Sequence, residues 1–299
     1  MTIVGFVGLG IMGLPMAKNV AKNYPEVIGY NRSQQPVEQF VQFGGRALGS
    51  IAELTKVADV IITMLPDSPD VEAVVLGQDG ILAAARPGQT IIDMSTIQPD
   101  VSRRLAVEAA LRGVHTLDAP VSGGQRGAID GTLSVMVGGL PEVVEAQRPI
   151  LESMGGSVVH VGPHGAGQTV KAANQLIVAG NLQVVAEAII LLEVLGVDLN
   201  AAVQVLKAGL AGSKVLEQKA TAMISGDFTP GFRAELHHKD LGIVAETART
   251  AGVVTPVGAL VTQLMAALVA TGYGRDDHSA LVRTVRNLSR KTEVAVSGS

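Results

Sequence analysis

The sequence predicts an α/β fold in two parts: an N-terminal doubly wound, mostly parallel sheet and a C-terminal all-α domain, joined by a long interdomain helix. Three observations predict it. A Gly-x-Gly-x-x-Gly at Gly8, Gly10 and Gly13 directly follows an apolar strand-like run and opens a helical pattern. Short apolar runs then alternate with helical patterns through the first half. From residue 168 onward every segment reads as helix. The expected boundaries are 1–163 for the sheet domain, 164–195 for the long helix, 196–292 for the helical domain and 293–299 for a flexible tail.

The first element carries the most information. In the Ile3-Val4-Gly5-Phe6-Val7 strand and the turn behind it, Gly8 permits the tight bend and Gly10 lets the backbone approach a pyrophosphate. Gly13 lets the helix pack close on the strand, and the free N–H groups of that helix start face the phosphates. In a chain with 35 glycines the motif alone is weak, but strand before and helix after make it a Rossmann dinucleotide turn, with Leu9, Ile11 and Met12 at the cofactor. Val27-Ile28-Gly29-Tyr30 reads as the next strand and ends at Asn31-Arg32-Ser33, about 20 residues past the glycines, where a ribose-reading group is expected. An acidic residue there would repel a 2′-phosphate. An amide, a cation and a hydroxyl suit one, so NADP is expected in preference to NAD. The alternative is a solvated Arg32 and a site that takes either cofactor.

Val60-Ile61-Ile62-Thr63-Met64 and Thr90-Ile91-Ile92-Asp93-Met94 are continuous apolar runs of the buried parallel type. His115-Thr116-Leu117-Asp118-Ala119 and Leu133-Ser134-Val135-Met136-Val137 are further strand candidates. Between them, Ser50 with Glu53 has capping-box spacing, and Ser68 before Pro69 reads as cap and first helical residue. Ligands on such sheets bind beyond the C-terminal strand ends, so the loops Leu65-Pro66-Asp67-Ser68 and Ser95-Thr96-Ile97 are expected on the nicotinamide side. Residues 168–195 contain no Pro and only one Gly, Gly180. As one helix they would run about 40 Å, and their apolar girth predicts burial between domains or subunits. Helices are expected at 200–208, 213–224, 236–251, 256–271 and 278–290, with a frayed tail over 294–299.

The 299 residues suggest two domains with ample core. A net charge of −4 without a basic stripe argues against nucleic acid and anionic membrane surfaces as partners. The absence of cysteine excludes a disulfide framework and thiol chemistry, and a cytoplasmic location is expected. The apolar N-terminus lacks the positive region of a signal peptide, and no uninterrupted apolar run reaches the length of a membrane span.

Two clusters could do chemistry. Asp118-Ala119-Pro120-Val121-Ser122-Gly123-Gly124 ends a strand in a Gly-rich loop, where Ser122, Gly123 and Gly124 offer a hydroxyl and backbone N–H groups to a carboxylate. Lys171, Asn174 and Gln175, at i, i+3 and i+4, share one face of the long helix. Reducing a carbonyl requires a proton for its oxygen, and a buried ammonium can give it; the plain alternative is a lysine whose stem lines an interface. In His237-His238-Lys239-Asp240 the adjacent histidines diverge on a helix, which argues against a metal pair. Lys239 could meet substrate or cofactor. No motif with metal-ligand spacing occurs, and His115, His160, His164 and His278 read as structural.

In these motifs the sequence resembles the β-hydroxyacid dehydrogenase family over nearly its whole length. The nucleotide turn at 5–19, the loop at 118–131, the segment Gly165-Ala166-Gly167-Gln168-Thr169-Val170-Lys171-Ala172-Ala173-Asn174-Gln175 and Lys239-Asp240 stand in the family's order. Within the family it looks most like the subgroup that reduces tartronate semialdehyde, through Ile129-Asp130-Gly131-Thr132, Gly209-Leu210-Ala211-Gly212-Ser213 and Asp277-His278-Ser279. The resemblance implies Lys171 as catalytic lysine, with Asn174 acting beside it as a substrate contact and Gln175 in substrate binding. It implies Ser122, Gly123 and Gly124 around the substrate carboxylate, Lys239 near cofactor and substrate, and Thr96 and the Met64-Leu65-Pro66 loop at the cofactor. It also implies a homodimer or homotetramer built through the helical domain. Gln125-Arg126-Gly127 departs from the acidic residue common in the reductases, and Asn31 from the Asp of NAD-dependent members. The remaining alternatives are 3-hydroxyisobutyrate or another short semialdehyde as substrate and, from other classes, a non-catalytic dinucleotide sensor, which would not need Lys171, or an imine reductase, whose kind usually lacks it.

Overall fold

The computed structural model describes residues 2–289. Its contacts divide the chain into two compact units, Met1–Ala173 and Asn174–Ser299. The first carries one sheet, made of β1 (Val4–Val7), β2 (Val27–Tyr30), β3 (Arg46–Ala47), β4 (Val60–Thr63), β5 (Thr90–Asp93), β6 (His115–Asp118), β7 (Val121–Ser122), β8 (Leu133–Gly138) and β9 (Gly155–Gly162). The order is β3-β2-β1-β4-β5-β6-β8-β7, with β9 also on β8. β3 through β6 pair in parallel, β8 is antiparallel to β6 and β7, and β9 is parallel to β8. The order reverses between β1 and β4, so their C-terminal ends form the switch point where open sheets hold ligands.

Both faces of the sheet are covered by α1 (Gly13–Ala21), α2 (Gln34–Gln42), α3 (Ile51–Val57), α4 (Ser68–Leu76), α5 (Ile81–Ala84), α6 (Pro99–Ala110), α7 (Gly124–Asp130) and α8 (Pro141–Glu152). Strand alternation explains the two cores. Phe6, Ile62 and Ile92 enter one core with Met16, Val20 and Leu117. Their neighbours Val7, Ile61 and Ile91 enter the other with Ile28, Leu54 and Val71. This two-sided burial is why the strands read as continuous apolar runs rather than alternating ones.

The expected cap of α3 is present: Glu53 N–H donates to Ser50 Oγ at 3.1 Å. The cap of α4 lies one residue earlier than expected. Asp67 caps it, accepting from Ser68 N–H at 2.7 Å, while Ser68 Oγ accepts from Gln98 N–H at 3.1 Å. Strands β3, β7 and β9 were not expected. β3 and β7 span two residues each, and β9 begins with two glycines that read as loop.

A single 29-residue helix, α9 (Ala166–Val194), stands where one long helix was expected over 164–195, starting two residues later and ending one earlier. The second unit continues with α10 (Leu199–Ala208), α11 (Lys214–Ser225), α12 (Ala234–Ala251), α13 (Pro256–Leu268) and α14 (Leu281–Leu288). The helix expected to run to 271 passes into a π-helical turn, Val269–Tyr273, in which Gly272 has a φ of 93°. The one expected from 278 opens as a 3-10 turn, His278–Ala280, capped by Asp277. Residue 290 and the expected tail lie outside the described residues. Leu241, Val244, Val261, Met265, Leu268, Leu281 and Val282 are core residues of this unit.

Only part of α9 meets the expectation of burial. Leu182, Val185, Ile189 and Ile190 are buried, but Ile177, Val184 and Leu191, seven residues apart, are 63%, 55% and 61% exposed. The Ala166–Val194 and Pro256–Tyr273 stretches are long and apolar enough to cross a membrane by length and composition, a test that core helices also pass.

Candidate active site

The nucleotide turn sits at the switch point. A Cβ on Gly8, whose φ is 99°, would overlap the carbonyl oxygen of Met64, and one on Gly13 would overlap that of Gly8. Glycine is therefore the residue that lets β1, β4 and α1 meet. Gly10 is different: apart from Gly10 itself and its two chain neighbours, no atom of the described residues lies within 4 Å of where its Cβ would stand. That opening is what close approach of a pyrophosphate requires. α1 also begins without a side-chain cap and without an acidic residue in its first turn, so its N–H groups suit an anion. Turn and helix start thus fit a dinucleotide.

Asn31 has a role the sequence did not suggest. Its Oδ1 accepts from Leu9 N–H at 2.9 Å and its Nδ2 donates to the Ser33 carbonyl at 3.0 Å, so its amide braces the turn against the end of β2. What bears on cofactor choice is the missing carboxylate at this position, together with Arg32 and Ser33, both exposed. Among the described residues Arg32 pairs with no carboxylate.

The loops after β4 and β5 are tied together. Leu65 N–H donates to Ser95 Oγ at 2.9 Å, and Met64, Leu65 and Thr96 are half-buried while Pro66 is exposed. Below them, buried Asp93 accepts from Thr63 Oγ1 at 2.7 Å and from Ser95 N–H at 3.3 Å. Its second oxygen has no partner among the described residues. Burial pushes this carboxyl up to about 6, against the hydrogen bonds of Ser95 and Thr63, with the charge of Asp118 adding to the rise.

Asp118, expected only as the start of the Gly-rich loop, anchors α9. Its Oδ1 accepts from Gly165 N–H at 2.7 Å and its Oδ2 from Gln168 N–H at 3.0 Å. Burial raises its pKa against these N–H bonds. Four residues on, Ser122 ends β7, and Gly123 and Gly124 follow with φ of 137° and 61°, conformations that L side chains rarely adopt. Lys171, 7% exposed, donates from Nζ to the Val121 carbonyl at 2.8 Å. The structure thus brings the lysine head group to the peptide that precedes Ser122. A buried ammonium needs such a hydrogen-bonding partner.

The second unit gathers Asn174, Gln175 and Lys239 around Asp240. Gln175 Nε2 donates to Asp240 Oδ2 at 2.6 Å, and Asn174 Nδ2 donates to Gln175 Oε1 at 2.8 Å. Lys239 Nζ lies 2.9 Å from Asp240 Oδ1. Asp240, not assigned a role from sequence, is the centre of this set. Behind it His237, fully buried, meets His278 Nδ1 to Nδ1 at 3.0 Å and faces the Gln175 carbonyl at 3.3 Å. Forty-one residues separate the two histidines, and no local pattern could have signalled the pair. Among the described residues no group of histidine, aspartate and glutamate could hold a metal ion.

Comparison with known proteins agrees with this layout. Residues 3–162 match the NAD binding domain of 6-phosphogluconate dehydrogenase, and 165–285 match the NAD-binding family of NADP-dependent 3-hydroxyisobutyrate dehydrogenase. The chain is 40% identical over 283 residues to 2-hydroxy-3-oxopropionate reductase of Escherichia coli, covering 94% of this chain and 96% of that protein. It is 37% identical over 296 residues to 2-(hydroxymethyl)glutarate dehydrogenase of Eubacterium barkeri, covering 99% and 97%. Among solved structures it resembles 3-hydroxyisobutyrate dehydrogenase of Mycobacterium tuberculosis with L-serine, at a TM-score of 0.88, 34% identity and coverage of 96% and 99%. By motif, fold and whole-length similarity, the chain belongs to the β-hydroxyacid dehydrogenase family and carries an NAD(P)-binding domain.

Proposed function

We propose that the protein is an NADP(H)-preferring reductase of a short semialdehyde acid, with tartronate semialdehyde (2-hydroxy-3-oxopropanoate) as substrate and D-glycerate as product. The observation that carries the reading is the buried Lys171 head group, 2.8 Å from the Val121 carbonyl and so at the peptide that leads into Ser122, Gly123 and Gly124. Whole-length similarity to the Escherichia coli reductase supports the substrate.

The bound dinucleotide supplies the hydride that reaches the aldehyde carbon. Lys171 gives its proton to the carbonyl oxygen, which stays on the carbon as the new hydroxyl; in the reverse direction the neutral amine takes the proton back. Ser122 Oγ and the N–H groups of Gly123 and Gly124 hold the substrate carboxylate. Asn174, Gln175 and Lys239 complete substrate binding, with Lys239 also toward the cofactor. Arg32 and Ser33 favour a 2′-phosphate where a carboxylate at position 31 would repel it. The uncovered line Ile177, Val184 and Leu191 supports a homo-oligomer built through the helical unit.

A second reading, a 3-hydroxyisobutyrate-type substrate, is favoured by likeness to the Mycobacterium tuberculosis structure. A pocket that hydrogen-bonds the substrate hydroxyl rejects the methyl analogue strongly, whereas an apolar one discriminates weakly. Turnover of tartronate, methylmalonate and succinic semialdehydes with NADPH and NADH separates the two. We expect the first substrate with NADPH to be fastest, and Lys171→Ala to lose at least about 100-fold in kcat with cofactor affinity retained. Preference for the methyl compound would select the second reading. A fully active Lys171→Ala would refute the assigned proton donor.

A further inference from the structure

We propose that Gln168 is a positioning residue: it fixes Lys171 relative to the cofactor-side loops by joining the first turn of α9 to Ser95-Thr96-Ile97. The inference rests on the reading of Lys171 as proton donor.

Gln168 is buried at 1% exposure and is bonded on three sides. Its N–H donates to Asp118 Oδ2 at 3.0 Å, its Oε1 accepts from Ile97 N–H at 3.1 Å, and its Nε2 donates to the Ser95 carbonyl at 2.8 Å. The side chain therefore grips the backbone on both sides of Thr96. Ser95 Oγ in turn accepts from Leu65 N–H, which continues the connection to the loop after β4. On the helix, Lys171 follows Gln168 by three residues, close to one turn, so the two lie on neighbouring positions of one face. The backbone allows little slack. A Cβ on Gly167 would overlap the carbonyl oxygen of Met136, so α9 starts in contact with the main chain of β8.

A neutral amide of this length is suited to the task because one end donates while the other accepts. A purely structural amide exists in the same unit for comparison. Gln89, also 1% exposed, donates from Nε2 to the carbonyls of Thr55 and Ala58 at 2.7 and 2.6 Å and accepts from Arg86 N–H at 2.7 Å. It precedes β5, at the opposite end of the sheet from Ser95.

The test compares Gln168→Met, Gln168→Glu, Gln89→Met and Lys171→Ala, reading kcat, KM, NADPH affinity and the isotope effect with NADPH deuterated at the transferred position. We expect Gln168→Met to lose about 10- to 100-fold in kcat, as small misplacements of reacting groups do, with a larger isotope effect. Its NADPH affinity should stay within about threefold, since phosphate contacts at the nucleotide turn are untouched. Gln89→Met should lower the melting temperature and leave kcat of the folded enzyme unchanged. A protonated carboxyl donates and accepts as the amide does, so the Gln168→Glu variant should regain activity relative to wild type as pH falls from about 8 to 6. Wild-type kcat in Gln168→Met beside an inactive Lys171→Ala would overturn this inference alone. An active Lys171→Ala would overturn the reading of the lysine and the inference with it. Should Gln168→Met not fold, the pH dependence of Gln168→Glu decides, and a constant ratio to wild type rejects the role.

Discussion

The two ends of the sheet solve the same problem with different chemistry. At the N-terminal end, loops are closed by Gln89 and by Asp59, which accepts from Ile3 N–H at 2.9 Å and from Arg86 at 2.7 Å. The charged and amide groups there find partners, the pair with Arg86 is partly solvated, and the buried group left without a partner among the described residues is a neutral one, the Thr55 hydroxyl. At the C-terminal end, Asp93 and Asp118 face each other in register on β5 and β6, both buried. One oxygen of Asp93 is left without a partner among the described residues. The end with the candidate site is thus the one that buries carboxyls against their desolvation, as expected where positioning takes precedence over stability.

Breaking the anchor should have the largest effect on stability. Asp118→Ala strands the N–H groups of Gly165 and Gln168 and should cost about 3 kcal/mol, with loss of turnover, measured by denaturant unfolding and steady-state rates. The next effect has the opposite sign at neutral pH. Because the folded-state pKa of Asp93 is raised to about 6, its protonated form stabilises the protein below the ordinary carboxylate pKa, and that contribution is lost as pH rises through about 6. Asp93→Asn should therefore flatten the stability curve between about pH 4 and 6 and gain up to about 3 kcal/mol at pH 7.5. A variant that keeps the wild-type slope would place the titration elsewhere. The smallest effect belongs to the other end. Arg86→Met should change stability by less than about 1 kcal/mol. Asp59 is held below the usual range first by the Ile3 N–H and then by Arg86, so its contribution is present at neutral pH and fades as pH falls through its lowered pKa. The two ends should therefore bend the pH–stability curve in opposite directions.

What the sequence reveals divides along the same line. Strands β1, β4 and β5 are legible because burial on both faces writes itself as short, nearly continuous apolar runs. The nucleotide turn is legible because three glycines at fixed spacing follow a strand and open a helix, a pattern that the overlaps of Gly8 with Met64 and of Gly13 with Gly8 impose. Lys171 and the Ser122 loop are legible as chemistry, and the lysine's contact with Val121 joins them across 50 residues. Asp118 and Gln168 stand inside those motifs and still escaped assignment, because their partners are backbone groups that leave no mark on residue type. Strand β9 escaped because its burial is partial along most of its length. The set around Asp240 and the two facing histidines depends on residues brought together from α9, α12 and the turn at 278, which no local periodicity encodes.

The anchor at Asp118 has a consequence for how the molecule is made. Asn31 secures the dinucleotide turn by closing a segment of 22 residues, whereas Asp118 must wait for partners 47 and 50 residues downstream. On a ribosome the turn can be complete while the stretch bearing Lys171 is still in the exit tunnel, because chains emerge from the N-terminus and short loops close first. The nascent protein thus acquires the means to hold a nucleotide before it acquires the group that would move a proton.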